Sequence, residues 1–184
     1  ETGFKTSFVT TDNIANYSNL VDETYETDFN KSNRFQYKEN IMAGYININK
    51  QIKKWGIQTG LRYEHTNYEG KQFDNPTKQD SSFSRSYGSL FPTVFVSYAA
   101  NDKNQFSISV GRRIDRPAYQ NLNPFLFFID KFTYQAGNPY LQPQFTRNIE
   151  FTHTFKGFLT TTLNYSNTSD LFSETFDQDG YATI

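Results

Sequence analysis

The alternation of apolar and polar residues constrains the fold of this chain more than any other feature of its sequence. Between residues 55 and 64 the odd positions carry Trp, Ile, Thr, Leu and Tyr, whereas the even positions carry Gly, Gln, Gly, Arg and Glu. A period of two places these two sets of side chains on opposite faces of a β-strand. The same alternation recurs over 106–111, 149–155 and 159–165. Composition agrees, because aromatic residues, which favour strands, make up 18% of the chain.

Several other segments extend this all-β pattern. Residues 37–50 and 86–99 have the composition of strands but are apolar on both faces in places, the stretch from Phe4 to Thr10 predicts another strand, and 170–177 predicts a last one. No segment has a convincing helical period, and the longest apolar run, 125–129, is far too short for a transmembrane helix. We therefore predict an all-β fold, an antiparallel meander of about seven or eight long strands.

The connections between these strands alternate in length. Three are short, at 51–54, 100–104 and 156–157, and three are long and polar or irregular, at about 11–33, 69–84 and 114–143. Alternate connections of an antiparallel meander lie at the same end of the sheet. Compact soluble domains rarely contain such long loops, whereas outer-membrane barrels combine tight periplasmic turns with long extracellular loops. The sequence thus predicts a segment of a transmembrane β-barrel with alternating short turns and long loops.

Aromatic residues near the strand ends, such as Trp55, Tyr63 and Tyr165, fit two architectures. They suit the aromatic girdles of a membrane barrel, and they equally suit the core of a soluble β-sandwich. The two alternatives differ in whether the apolar strand faces meet lipid or a second sheet. The lengths of the connections favour the barrel.

Composition and motifs argue against several classes of function. A net charge of −1 does not favour binding to nucleic acid, and a chain without Cys has neither disulfides nor thiol chemistry. His65 lies near Glu64 and Glu69, but adjacent residues of a strand point to opposite faces, so no metal site is expected there. No catalytic motif is present. We expect that the protein is not an enzyme and that it has no cofactor.

Three parts of the chain resemble a known family. They are the strand pair 37–41 (Tyr-Lys-Glu-Asn-Ile) and 55–64, the segment 112–125 (Arg-Arg-Ile-Asp-Arg-Pro-Ala-Tyr-Gln-Asn-Leu-Asn-Pro-Phe) and the segment 137–143 (Gly-Asn-Pro-Tyr-Leu-Gln-Pro). In order and spacing they are similar to TonB-dependent outer-membrane receptors. More specifically, residues 3–177 resemble the outer-membrane β-barrel family that forms the C-terminal portion of these receptors in Gram-negative bacteria.

The resemblance implies that residues 1–184 are a single β-barrel segment, a partial domain of a larger receptor. Such receptors have a barrel of about 22 strands, filled by an N-terminal plug domain that carries the TonB-contacting box. Neither the plug nor the box is visible in this sequence. The implied function is to form barrel wall and extracellular loops for ligand uptake. The alternative is a soluble β-sandwich that acts as a carbohydrate-binding or adhesion module.

The same resemblance implies the partners and the location. The partners are outer-membrane lipid, the plug domain of the parent chain, TonB through that plug, and an extracellular ligand of unknown identity. The location is the outer membrane of a bacterial cell. An isolated segment would have unpaired edge strands, through which we expect it to oligomerise.

Two groups of residues in and beside the last long connection are candidates for binding. The aromatic residues of this connection, set among amide and carboxylate side chains, suit the stacking and hydrogen bonding of a sugar or peptide, or alternatively pack the connection onto itself and the barrel rim. The residues predicted to bind ligand are Tyr119, Phe125, Phe127, Phe128, Tyr134 and Tyr140. The second group, Arg112, Arg113 and Arg116 with Asp115, either contacts anionic lipid head groups or an acidic ligand, or forms solvated rim charges with one local ion pair.

Overall fold

A computed structural model describes residues 1–73, 75–130, 132–179 and 182–183. Its main sheet consists of seven strands: β1 (Thr2–Ala15), β4 (Asn33–Ile52), β5 (Trp55–Phe73), β6 (Ser81–Asn101), β7 (Asn104–Asp115), β10 (Gln144–Phe155) and β11 (Leu159–Ser169). Three hairpins lie outside it: β2 (Ser18–Val21) with β3 (Thr24–Thr27), β8 (Phe127–Phe128) with β9 (Tyr134–Gln135), and β12 (Gln178–Asp179) with β13 (Ala182–Thr183). Helix α1 (Tyr119–Leu122) has a single turn. None of the described helical residues form a helix that could span a membrane.

The seven strands are all antiparallel and follow one another in the order β1-β4-β5-β6-β7-β10-β11. Tight turns close the hairpins β4–β5, β6–β7 and β10–β11, where Ile52 pairs with Trp55, Asn101 with Asn104 and Phe155 with Leu159. The long connections, 16–32, 74–80 and 116–143, all lie at the opposite end. The predicted all-β meander, with short turns at one end and long loops at the other, is confirmed.

The two faces of the sheet differ in polarity. We name them the Trp55 face and the Glu64 face, after residues of β5 that point to opposite sides. In the half of the sheet near the tight turns, the Trp55 face carries exposed large apolar residues on every strand, which we call the apolar band: Phe4, Ile46, Ile48, Trp55, Leu61, Tyr63, Leu90, Val94, Ile108, Val110, Ile149, Phe151, Leu159, Leu163 and Tyr165. The Glu64 face opposite carries mainly Asn, Gln, Ser, Thr and Gly. No second large sheet covers the apolar band within the described ranges, so the architecture that a sandwich requires is missing there.

Three neighbouring strands are much longer than a membrane crossing requires. Strands β4, β5 and β6 have 20, 19 and 21 residues, whereas a tilted transmembrane strand needs about 9–11. Together with β1 they continue beyond the level at which β7 ends, and we call this four-stranded part the extension.

The extension changes the bounds of two predicted loops. The predicted loop 69–84 is wrong in its bounds, because β5 continues to Phe73 and β6 begins at Ser81. The predicted loop 11–33 is likewise shortened by β1 and contains the β2–β3 hairpin, and 170–177 is not a strand.

The buried core of the protein lies on the extension, on the Glu64 face. Its buried members Phe35, Tyr37 and Tyr68 come from β4 and β5, and Leu122 comes from α1. Phe83 and Tyr87 of β6 pack against them. The apolar side of the sheet thus changes from the Trp55 face, near the tight turns, to the Glu64 face in the extension. This change explains why residues 37–50 and 86–99 are apolar on both faces in places.

Candidate functional site

The three long connections contact one another at the end of the extension. The side-chain amide of Asn75, in 74–80, donates to the carbonyl oxygens of Phe29 (2.7 Å) and Ser32 (2.8 Å), in 16–32. Tyr17 packs edge-on against Phe128 of the connection 116–143, with ring centroids 5.7 Å apart. Lys78 places its ammonium 5.7 Å from the ring centroid of Phe125. The connections therefore form one continuous rim rather than three separate loops.

Backbone hydrogen bonds hold the first and last parts of the connection 116–143 together. The N–H of Gly137 donates to the carbonyl of Asn123 (2.8 Å), and the N–H of Asn138 donates to the carbonyl of Asn121 (2.7 Å). A Cβ at position 137 would lie 2.5 Å from the Asn123 carbonyl oxygen, so only glycine fits this approach without movement of the backbone. The two segments that carry the family resemblance in this region, 112–125 and 137–143, are thus held against each other.

The six aromatic residues predicted to bind ligand do not form one surface. Tyr119 and Phe125 pack against the buried core of the extension, as the packing alternative predicted. Phe128 and Tyr134 contact each other, with ring centroids 5.9 Å apart. Phe127 and Tyr140 are exposed, at 60% and 71%. The exposed pair and Tyr134 are the members that a ligand could reach.

A cavity of about 470 Å³ lies between this connection and the segment that follows β11. Its lining includes Tyr134 and Asn138 from the connection, and Phe172 and Glu174 from the following segment. The side-chain amide of Gln135 donates to the Glu174 carboxylate across it (3.1 Å). Aromatic, amide and carboxylate groups converge here, as is usual for sites that bind small polar ligands. The sequence did not indicate this cavity, because its two sides are far apart in the chain: Gln135 and Glu174 are 39 residues apart.

Arg116 ties the start of the connection to the Glu64 face of the sheet. Its guanidinium donates to the carboxylate of Glu64 (2.6 Å), the hydroxyl of Tyr87 (3.1 Å) and the hydroxyl of Thr66 (3.1 Å). Glu64 also pairs with Arg62 at 3.2 Å. The ion pair of Arg116 is therefore made with a residue of β5 and not with its neighbour in sequence.

The other charged residues of this group, Asp115, Arg112 and Arg113, do not share the contacts of Arg116. Asp115 accepts a hydrogen bond from the side-chain amide of Gln144 (2.9 Å), so the expected ion pair within 112–116 is wrong. Arg112 and Arg113 lie on opposite faces of β7, because successive residues of a strand alternate. The register pairs Arg112 with Arg147 of β10 and Arg113 with Thr146.

The two histidines lie on the Trp55 face. His153 stacks on Phe106, with ring centroids 4.5 Å apart, and its Nε2 is 3.0 Å from the side-chain oxygen of Asn104. His65 lies 3.4 Å from the hydroxyl of Ser86. Across the described positions, no three His, Cys, Asp or Glu side chains are grouped so that they could hold a metal ion.

The β8–β9 hairpin is closed by an aspartate turn. The Oδ1 atom of Asp130 accepts hydrogen bonds from the backbone N–H groups of Phe132 (2.7 Å) and Thr133 (2.8 Å). These bonds stabilise the carboxylate, and they hold the pKa of Asp130 below its ordinary value. The turn keeps Phe127 and Phe128 at the tip of the connection.

Comparison with known proteins agrees with this architecture. A family model described as the outer membrane protein beta-barrel family matches residues 1–184. A search of curated proteins returned no significant match. The alternating strands, the exposed apolar band and the unequal ends of the sheet are the features that a wall of such a barrel requires. Membership of the family implies a location in the bacterial outer membrane. The chain belongs to the outer membrane protein β-barrel family, whose strands form the barrel wall of an outer-membrane protein.

Proposed function

We propose that this chain forms part of the barrel wall and the extracellular loops of a TonB-dependent receptor that takes up a ligand across the outer membrane. The contrast between the two ends of the sheet is the observation that carries the proposal. One end has only tight turns, whereas the other has three connections that contact one another on a four-stranded extension with its own core. Long ordered loops on a rigid scaffold are where proteins usually place binding sites.

Two further features support the receptor over a simple channel. The segments that resemble TonB-dependent receptors, 112–125 and 137–143, are those that build the longest connection. A cavity with aromatic and polar lining lies beside that connection. In the proposed mechanism, this rim captures the ligand, and movement of a plug domain, driven through TonB, admits it to the periplasm.

The proposal also assigns roles to the two faces and the edges of the sheet. The Trp55 face meets lipid, and the Glu64 face meets the lumen and the plug domain of the parent chain. Strands β1 and β11 each have one unpaired edge among the described residues, and further strands of the parent barrel would pair with them. The role is one of binding and transport, and it includes no catalytic step, cofactor or nucleic acid.

Binding to TonB tests the proposal without knowledge of the ligand. The full-length protein that contains this chain would be produced in a Gram-negative host, extracted from the outer membrane in detergent and passed over the immobilised periplasmic domain of TonB. We expect retention of the intact protein and loss of retention when the N-terminal TonB-contacting segment is deleted. If the protein folds in the outer membrane and is not retained, the receptor function is contradicted, and the protein is a barrel that works without TonB.

A further inference from the structure

Two arginines lie side by side on the face of the sheet that carries the apolar band. Arg112 of β7 is directly opposite Arg147 of β10 in the register. The next pair toward the tight turns is Val110 with Ile149, and both of these residues are exposed members of the band. On these two strands the arginines thus follow the last exposed apolar pair, and the next pair outward, Ile114 with Phe145, is half-buried.

No acidic side chain balances this pair on its own face. In the register of β6, β7, β10 and β11, the Trp55 face carries no Asp or Glu. The two acidic residues of these strands, Asp115 and Glu150, lie on the Glu64 face. Like charges directly opposite each other destabilise a sheet. An anion from outside the protein would relieve this repulsion.

Neither arginine has an acidic partner among the described residues. Arg112 places its guanidinium carbon 4.3 Å from the ring centroid of Phe145, and it donates to the carbonyl of Leu90 (3.1 Å). The guanidinium carbon is also 5.8 Å from the ring centroid of Phe91, and the buried Nε has no hydrogen-bond partner among the described residues, so the remaining guanidinium nitrogens are the ones that could meet an anion. Arg147 is exposed and forms no ion pair with any residue that the structure describes.

The depth of the pair in the membrane identifies the anion. From Phe155 to Arg147 is eight residues of β10, or about 26 Å along the strand and about 20 Å along the membrane normal at a tilt of about 40°. The apolar band of outer-membrane barrels is about 25 Å tall. Arginine side chains near its border extend toward the head groups and span the remaining ~5 Å. Arg112 extends in this direction, because Phe145 and Leu90, which it contacts, lie farther from the tight turns. Because long connections face outward, these are the head groups of the outer leaflet.

We propose that Arg112 and Arg147 form a binding site for the phosphate groups of outer-leaflet lipid. Guanidinium groups bind phosphate through two parallel hydrogen bonds, and their weak hydration suits a site beside apolar side chains. Phe145, which contacts Arg112, keeps that side chain in place on the sheet surface. The site depends on the membrane location and orientation of the barrel, and it does not depend on TonB or on the ligand.

Thermal unfolding in mixed micelles tests this site in the full-length protein. The probes are dioleoyl phosphatidic acid, which carries a phosphate monoester, dioleoyl phosphatidylcholine, whose phosphate is neutralised by choline, and inorganic phosphate without added lipid. We expect phosphatidic acid to raise the unfolding temperature of the native protein, and phosphatidylcholine and inorganic phosphate to leave it nearly unchanged. An equal rise with inorganic phosphate would overturn the lipid assignment.

Arg147→Gln is the main variant, because this side chain is exposed and we expect its replacement to leave the fold intact. Its apparent affinity for phosphatidic acid should fall roughly tenfold or more, whereas Arg147→Lys should keep part of it. Arg113→Gln is the matched control, since it removes the same charge one residue from Arg112 but on the Glu64 face. An equal loss in Arg113→Gln, or no loss in Arg147→Gln, would overturn the site.

Discussion

At position 137 the fold leaves no space for a side chain. Three backbone carbonyl oxygens, those of Gln120, Asn121 and Asn123, lie within 2.6 Å of where a Cβ would be. Gly137→Ala should therefore separate the two halves of the connection 116–143 and weaken their hydrogen bonds, at a cost of about 1–3 kcal/mol. Hydrogen exchange measured on the full-length protein should be faster over 116–143.

Gly44→Ala is a suitable control for that substitution. Gly44 lies in β4, and a Cβ there would meet nothing within 4 Å. We expect exchange over 116–143 to be unchanged in this variant. If Gly137→Ala behaves like Gly44→Ala, the close approach at residue 137 does not hold the connection.

The ion pair between Glu64 and Arg116 should contribute more to stability than an exposed pair. The side chains are only 12% and 22% exposed, and the Nη2–Oε2 distance is 2.6 Å. In a double-mutant cycle with Glu64→Gln and Arg116→Gln, urea unfolding should give a coupling energy of about 1–2 kcal/mol. The Glu69–Lys71 pair, whose side chains are 38% and 47% exposed, provides the control cycle, with about 0–0.5 kcal/mol expected. Equal coupling in the two cycles would contradict the anchoring role of Arg116.

The Asp130 turn should depend on pH in a defined direction. Its backbone hydrogen bonds lower the pKa of the folded carboxyl, so they stabilise the turn at pH values above the unfolded pKa of about 3.9. This contribution is lost as the pH falls through the folded pKa. A carbon NMR titration of the Asp130 carboxyl should give a pKa below about 3.9, and Phe132→Pro, which removes one N–H donor, should raise it. A value at or above 3.9 in the unaltered protein would contradict the turn.

At the scale of single strands, substitutions in β11 can distinguish positions in the apolar band, which we propose to face lipid, from adjacent positions on the Glu64 face. Leu163 is 66% exposed in the apolar band, whereas Thr162 lies on the Glu64 face opposite Thr152. Leu163→Arg should destabilise the protein in lipid vesicles by about 2–4 kcal/mol, because it places a charge in the hydrocarbon layer. Thr162→Arg should cost about 1 kcal/mol or less, since only the Thr162–Thr152 hydrogen bond is lost. Equal costs, measured by urea unfolding in vesicles, would argue against a lipid-facing band.

The strands also show which features the sequence could reveal. From Trp55 to Glu64, apolar residues alternate regularly with polar residues and glycine because one face of the strand carries the apolar band, and the period was therefore visible. In the extension, buried aromatics such as Tyr37 and Tyr68 instead face inward, onto α1 and Leu141, so the apolar face changes sides within a strand. That change made residues 69–84 look like a loop, although Gly70 pairs with Phe83.

Contacts between distant residues were not predictable from the pattern. The Glu64–Arg116 pair joins residues 52 positions apart. The sequence offered Asp115 as the nearer partner of Arg116, and the register instead directs Arg116 toward β5. A possible signal was the aromatic residues on otherwise polar strand faces, since Tyr68 and Tyr87 mark where the connection packs.

At the scale of the whole molecule, both edges of the sheet remain open. Strand β1 pairs only with β4 and β11 only with β10 in the described part of the chain. A barrel has no edges, and exposed edges template association with other strands. In the proposed receptor, neighbouring strands of the parent barrel pair with these two edges.

The orientation of this wall can be tested directly, because the chain has no cysteine. Tyr25, in the connection 16–32, is 80% exposed, and Asp102 lies in the tight turn between β6 and β7. With Tyr25→Cys and Asp102→Cys in the full-length protein, a maleimide reagent too large for porins should label intact cells only at residue 25. Both positions should react after the outer membrane is opened, which shows that each thiol is accessible. Labelling of residue 102 in intact cells, with residue 25 protected, would indicate the reverse orientation, in which Arg112 and Arg147 lie in the inner leaflet.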